Sequence, residues 1–317
     1  MRSFKRISEN FPKVRLRVGT LGTIIVGGML FSMTASMSEA KQTATLANPD
    51  TVRVLASVAK VKDAFTSVGY ELDAVRRGQV AVPRLQLASL PHDISQIRQA
   101  QDRKAVFLRY MLPYVLEANS RVQQQRTRML SLQPKVETGQ RLGEEEAMWL
   151  NALFEEYRVK PGDFAALSLR VDTLPVSLAL AQAAVESGWG RSRFAQEGNA
   201  PFGQWTTKDH AGMVPKDRKA GMTHKVRSFE SLYKSAESYL RNLNTHRAYK
   251  GLRDLRASFR RDNEPVDSRA IAGTLLKYSE KGMAYVDLLR DIIEKNDLQA
   301  LDGAQLDDAV LEVRPDA

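Results

Sequence analysis

The apolar positions of this chain follow a helical period over most of its length. Val52, Leu55, Ala56 and Ala59 mark one face of a helix that continues until Gly69 or Gly78 interrupts it. A stronger pattern, built on Val106, Phe107, Tyr110, Met111, Val115 and Leu116, predicts a long helix over residues 101–130, with Pro113 expected to kink or divide it. After Gly143, the run Glu144, Glu145 and Glu146 suits the positive end of a helix dipole, and Met148, Trp149, Ala152, Leu153 and Tyr157 supply that helix with an apolar face. Residues 80–91 differ. Val80, Val82, Leu85, Leu87 and Leu90, interrupted by Pro83 and Pro91, predict an extended strap laid over an apolar surface, since proline cannot serve a central strand.

Pro161-Gly162 closes this first half. Beyond it, Asp172 or Thr173 is placed to cap a helix carrying Pro175 in its first turn, and residues 176–186 are then apolar on nearly every face. A helix of that kind is buried, and Ser187-Gly188 ends it, so Glu186 stands at the carboxyl end of a core element. From Gly203 to Phe229 the helical period fades among Gly212, Pro215 and Gly221, which predicts a small β-hairpin lobe. Three further helices are marked by Leu232, Ala236, Tyr239, Leu240 and Leu243, by Ile271, Leu275 and Tyr278, and by Tyr285, Leu288, Leu289, Ile292 and Ile293. The expected division is a leader at 1–40, a helical accessory region at 41–162, a mainly α domain with a hairpin lobe at 163–298, and an acidic disordered tail at 299–317.

The leader changes the picture of where the chain works. Arg2, Lys5, Arg6, Lys13, Arg15 and Arg17 precede an uncharged run from 18 to 38 that ends in Ser38-Glu39-Ala40, the layout of a secretory signal peptide. Its length also suits an uncleaved inner-membrane anchor, the second reading. Either way the remainder is expected outside the cytoplasm, in the periplasm. The net charge of +10 suits an anionic partner without choosing one, and the absence of cysteine leaves the fold to packing alone. Six basic residues between 247 and 261 are read as a solvated helical face, so no nucleic-acid partner is expected.

Several chemistries lack their first requirement. His92, His210, His224 and His246 are scattered, with no metal-ligand spacing, and neither a phosphate loop nor a Gly-x-Ser-x-Gly elbow occurs. No metal or cofactor is expected. Glu186 is different: burial and the negative end of its helix would both raise its pKa, and Trp189 can add an apolar wall. A carboxyl group kept protonated near neutral pH is what glycosidic cleavage needs. Gly188 and Gly190 would then let a sugar approach. From the residues alone, an ordinary exposed glutamate near a helix end is the favoured reading.

Residues 181–190, Ala-Gln-Ala-Ala-Val-Glu-Ser-Gly-Trp-Gly, with Arg191-Ser-Arg-Phe194 and residues 198–205, Gly-Asn-Ala-Pro-Phe-Gly-Gln-Trp, resemble the signature of bacterial glucosaminidases of the flagellar-muramidase and autolysin family. That resemblance covers residues 165–298. A wider set, including residues 108–116, 241–249 and 277–280, is similar to a narrower group of bacterial envelope proteins within it.

The resemblance implies a lysozyme-like fold, peptidoglycan glycan strands as substrate, a monomer, cleavage of the β-1,4 bond after N-acetylglucosamine, and Glu186 as catalytic acid. It also implies substrate contacts from Gln182, Ser187, Trp189, Asn199, Phe202, Gln204, Trp205, Tyr278 and Tyr285, the two tyrosines having core packing as their other reading. One departure is that the family's Asn-Leu-Phe-Gly appears as Asn199-Ala-Pro-Phe-Gly203, one residue longer. Asp209 and Asp217, in the hairpin segment, are candidates for activating water, or else solvated turn residues. A muramidase, a lytic transglycosylase or a wall-binding module without turnover are the alternatives.

Overall fold

Ser57 caps the first helix of the computed structural model, which describes residues 57–85, 87, 89–206, 212–215 and 225–311. The leader, the run at 18–38 and the first three apolar positions of the expected helix (Val52, Leu55 and Ala56) lie outside the described residues. The described residues belong to one compact unit, and among them no helix is long and apolar enough to cross a membrane.

Helices α1 (Val58–Ser67) and α2 (Leu72–Arg76) lead to β1 (Val82–Leu85), and then to α3 (Ala100–Glu137), α4 (Glu144–Glu156) and α5 (Phe164–Arg170). Of these, α5 already lies beyond Pro161-Gly162, and it is followed by α6 (Val176–Ser187) and α7 (Arg193–Gly198). Short strands β2 (Trp205–Thr206), β3 (Gly212–Met213) and β4 (Lys225–Arg227) form an antiparallel sheet in the order β2-β4-β3, the expected hairpin lobe. Helices α8 (Leu232–Thr245), α9 (Lys250–Arg261), α10 (Ser268–Ala272) and α11 (Met283–Lys295) follow, and β5 (Leu306–Leu311) ends the described chain. The fold is mainly α.

Pro113 neither ends nor divides α3, which runs through it for 38 residues. A proline at that position cannot donate to the carbonyl of Arg109 one turn back. The buried hydroxyl of Tyr70 donates to that carbonyl instead, at 3.0 Å, so the interruption is made good from outside the helix. The accessory region packs directly on the domain that follows it. Helix α3 packs along α6 and α8, and one hydrophobic core runs from Val61 to Leu301.

The strap expected over residues 80–91 is extended along β1, and its Val82, Leu85 and Leu90 are buried. Two tyrosines of α3 fasten it: Tyr110 donates to the Ser89 carbonyl at 2.5 Å and Tyr114 to that of Leu87 at 2.9 Å. The tail expected to be disordered is instead structured as far as residue 311. Strand β5 pairs in parallel with β1, Val82 opposite Leu306 and Leu85 opposite Leu311, and the half-buried Leu306 and Leu311 at its two ends pack against the core. Residues 312–317 lie outside the described residues.

Two further expectations need correction. Helix α6 starts at Val176 with Pro175 at its cap position. Asp172 is buried and paired to Arg256 and Arg260 instead, while Asp302, from the tail, accepts from the Ser177 backbone N–H at 2.8 Å and from its hydroxyl at 2.7 Å. The helix marked by Ile271 and Tyr278 stops at Ala272, and the chain turns until Met283. On α9 the basic face is only partly solvated: Arg253 and Arg256 are buried and spend their guanidinium groups on backbone carbonyls of neighbouring segments.

Candidate active site

Helix α6 is apolar on nearly all sides, and residues 176–184 are buried, which fixes its axis in the core. Its carboxyl end is fixed as well. Gly188, Trp189 and Gly190 take consecutive left-handed conformations, with φ of 57°, 60° and 79°. Trp189 N–H donates to the Ala184 carbonyl at 2.9 Å, and the Ser187 hydroxyl donates to the Ala183 carbonyl while accepting from Gly190 N–H. Gly190 lies so close to the strap and α3 that a methyl group there would meet Leu90, Ile94 and Phe107. The sequence reading gave this glycine to an approaching sugar; the space beside it holds the amino-terminal half. Trp189 likewise packs edge-on against Phe107, 5.9 Å between ring centres, with the Lys104 ammonium over its face.

From this clamped end the Glu186 side chain reaches a cleft of about 930 Å³. Its Oε1 accepts from the Tyr285 hydroxyl at 2.8 Å, the Tyr285 oxygen accepts from Gln182 Nε2 at 3.1 Å, and Gln182 Oε1 accepts from the Tyr239 hydroxyl at 2.6 Å. Its Oε2 lies beneath Gly203, where an added methyl group would come within 3.1 Å of it. Only glycine leaves that oxygen room at this left-handed position, φ 60°. Burial raises the Glu186 pKa above the ordinary carboxylate range, against the hydrogen bond from Tyr285 and the nearby charge of Lys281, which both lower it. The aromatic neighbours hold one another: Tyr278 stacks on Tyr285 at 5.6 Å and donates to the Phe202 carbonyl, while Phe202 stacks on Tyr239 at 4.1 Å.

Of the nine residues expected to contact substrate, Gln204, Trp205 and Tyr278 line the cleft beside Glu186. Trp205 is 65% exposed and presents a flat apolar face there. Gln182, Ser187, Asn199 and Phe202 are fully buried, so they support the cleft from beneath instead of walling it. Asn199, in a left-handed conformation at φ 50°, donates to the Phe229 and Glu230 carbonyls and ties α7 to the strand leading into α8. Tyr285 is 2% exposed and reaches the site through Glu186. Trp189 points toward α3. Asp209 and Asp217 lie outside the described residues.

The cleft also holds groups that the sequence reading did not single out. One face of α8 supplies Lys234, Glu237, Arg241 and Thr245, spaced at three and four residues, and Glu230 stands just before it. That stripe was legible as the polar side of an amphipathic helix, with nothing to say it faced a cleft. Arg158, just after α4, joins the wall although it belongs to the accessory region. It is exposed, with φ 56°, and no acid pairs with its guanidinium among the described residues.

Residues 163–298 match the family described as mannosyl-glycoprotein endo-beta-N-acetylglucosaminidase. Protein bax of Escherichia coli strain K12 is 33% identical over 215 residues, which span 66% of this chain and 75% of that protein. No solved structure matches the chain.

Proposed function

The chain belongs to the Bax-like family of glucosaminidase-domain proteins, and from that premise we propose that it cuts peptidoglycan glycan strands by hydrolysis, with Glu186 as the general acid. The observation that carries this proposal is the Glu186 carboxyl group itself. It is a carboxyl in the wall of the cleft, with a raised pKa, one oxygen held by Tyr285 and the other beneath Gly203. A group of that kind delivers a proton to a leaving glycosidic oxygen as the bond breaks.

The bond cut is the β-1,4 linkage after N-acetylglucosamine. The cation-like transition state is met by a second carboxylate or by the acetamido group of the substrate. Glu230 and Glu237 share the cleft, and Asp209 and Asp217 remain candidates from their place in the sequence. Trp205 offers a stacking face for a sugar ring, and Arg158, Arg227, Lys234 and Arg241 suit the carboxylates that peptidoglycan carries on its lactyl and peptide branches. Incubating the purified chain with sacculi and reading the new reducing ends by mass spectrometry tests the reaction. N-acetylglucosamine ends support it; muramic acid or 1,6-anhydro ends transfer the same acid to another bond, and no release leaves a binding module.

Export belongs to the same proposal, since the substrate lies outside the cytoplasm. The mature chain is expected to start near Lys41, because a basic start, an uncharged run and a Ser-Glu-Ala site occur together. Amino-terminal sequencing of the protein from its native envelope decides this. Recovery of the intact chain with Met1 from soluble cytoplasm would remove it.

A further inference from the structure

The hydrogen-bond chain beneath Glu186 has a direction, and we propose that Gln182 and Tyr239 are positioning residues that use it to keep the transferable proton of the acid on Oε2, the oxygen toward the cleft. This rests on Glu186 being the general acid. Tyr239 is fully buried, and among the described residues its hydroxyl has one acceptor in reach, Gln182 Oε1. A buried hydroxyl hydrogen must take that acceptor, since an orphaned donor costs more than a spare lone pair. The amide of Gln182 is thereby fixed, oxygen toward Tyr239 and nitrogen toward Tyr285.

The Tyr285 oxygen now receives a hydrogen from Gln182, so its own hydrogen goes outward to Glu186 Oε1. Oε1 is an acceptor whether or not Glu186 is ionised. When Glu186 is protonated, the hydrogen therefore sits on Oε2, beneath Gly203. Run in reverse, the same atoms would place that hydrogen on Oε1 and aim it at Tyr285, where no sugar can take it. The forward direction also stabilises the anion, because Tyr285 donates to it. The other titratable groups that act on Glu186 are Tyr239 on α8, Tyr249 before α9, Tyr278 in the turn after α10, and Lys281 before α11. None of the last three belongs to the relay.

Gln182→Leu and Tyr239→Phe break the chain without touching the cleft surface, and Tyr239→Phe keeps the ring stacked on Phe202. In Gln182→Leu, the Tyr285 oxygen loses the donor that polarises its hydroxyl, so its hydrogen bond supports the Glu186 anion less and the pKa rises. The protonated form is the active one, so the alkaline limb of kcat is expected to move to higher pH by up to about one unit, the weight of one whole hydrogen bond to a charged group being the upper bound. Tyr239→Phe should move it the same way by less. Both variants should lose kcat several-fold on peptidoglycan, yet match wild type on a nitrophenyl chitooligosaccharide, whose leaving group departs without a proton.

A packing role alone would instead lower Tm and slow both substrates equally, leaving the limb in place, and that result overturns the proposal. Glu186→Gln separates the two ideas. If it is inactive while both relay variants keep the wild-type limb, only the relay fails. If it is fully active, the assignment of the acid fails first.

Discussion

Gly190→Ala tests whether the amino-terminal half sets the position of the turn that ends α6. At φ 79° an alanine carries left-handed strain, about 1–2 kcal/mol. Its methyl carbon would also lie 3.1 Å from Phe107 Cδ2, 3.2 Å from Ile94 Cδ1 and 3.3 Å from Leu90 Cδ1. Comfortable carbon contacts begin near ~3.5 Å, so crowding a packed interior adds about 1–3 kcal/mol. Gly188→Ala is the control: φ is 57°, and an added methyl group there meets nothing within 4 Å. The expected losses are therefore about 2–5 kcal/mol for Gly190→Ala and about 1–2 kcal/mol for Gly188→Ala, against a total stability of about 5–15 kcal/mol. Urea unfolding of both variants, compared at unchanged m, measures the difference. Equal losses would mean that the strap gives way freely and that the two halves are not packed as described.

Three other outcomes follow from the same contacts. Asp302→Ala should cost about 1–2 kcal/mol, the weight of a helix cap, because it removes the acceptor for Ser177 at the start of α6; chemical denaturation without loss of stability would contradict the cap. Arg158→Ala should raise KM about two- to fivefold for peptidoglycan at low salt, with no effect at about 1 M salt or on neutral chitooligosaccharides; equal losses on charged and neutral substrates would contradict a charge contact. Glu186→Gln should melt above wild type at pH 8 and lose that advantage at pH 4. Burial raises the pKa of the folded carboxyl, so the folded chain holds this proton more tightly than the unfolded one. Wild-type stability must therefore fall as pH rises from the unfolded value, ~4.3, through the raised one. A Tm difference that ignores pH would contradict the burial.

What the sequence made legible was local. The apolar run from Val176 to Val185 and the Gly188 terminator place Glu186 at a helix end without any tertiary knowledge. The prolines of the strap and the fading period after Gly203 mark extended chain and hairpin lobe just as locally. What stayed hidden depends on partners far along the chain. Pro113 looks like a helix breaker until Tyr70 supplies the missing donor, and the acidic tail looks disordered until β1 is there to pair with β5 and Ser177 to meet Asp302. The site divides in the same way. Glu186 is visible in its motif, whereas Arg158 and the α8 stripe become cleft residues only once α4 and α8 are packed. Gly190 and Gly203 read alike in the sequence, yet one faces the strap and the other faces the acid.

The central claim is that the Glu186 carboxyl group delivers the proton. Glu186→Gln keeps the size of the side chain and a group able to hold Tyr285, while removing the acid. Release of soluble fragments from purified sacculi, compared between wild type and this variant at matched folding, measures the claim directly. The account predicts a fall in turnover of about 10²–10⁴, roughly 3–5 kcal/mol of barrier, with sacculus binding retained. Digestion at the wild-type rate would contradict it.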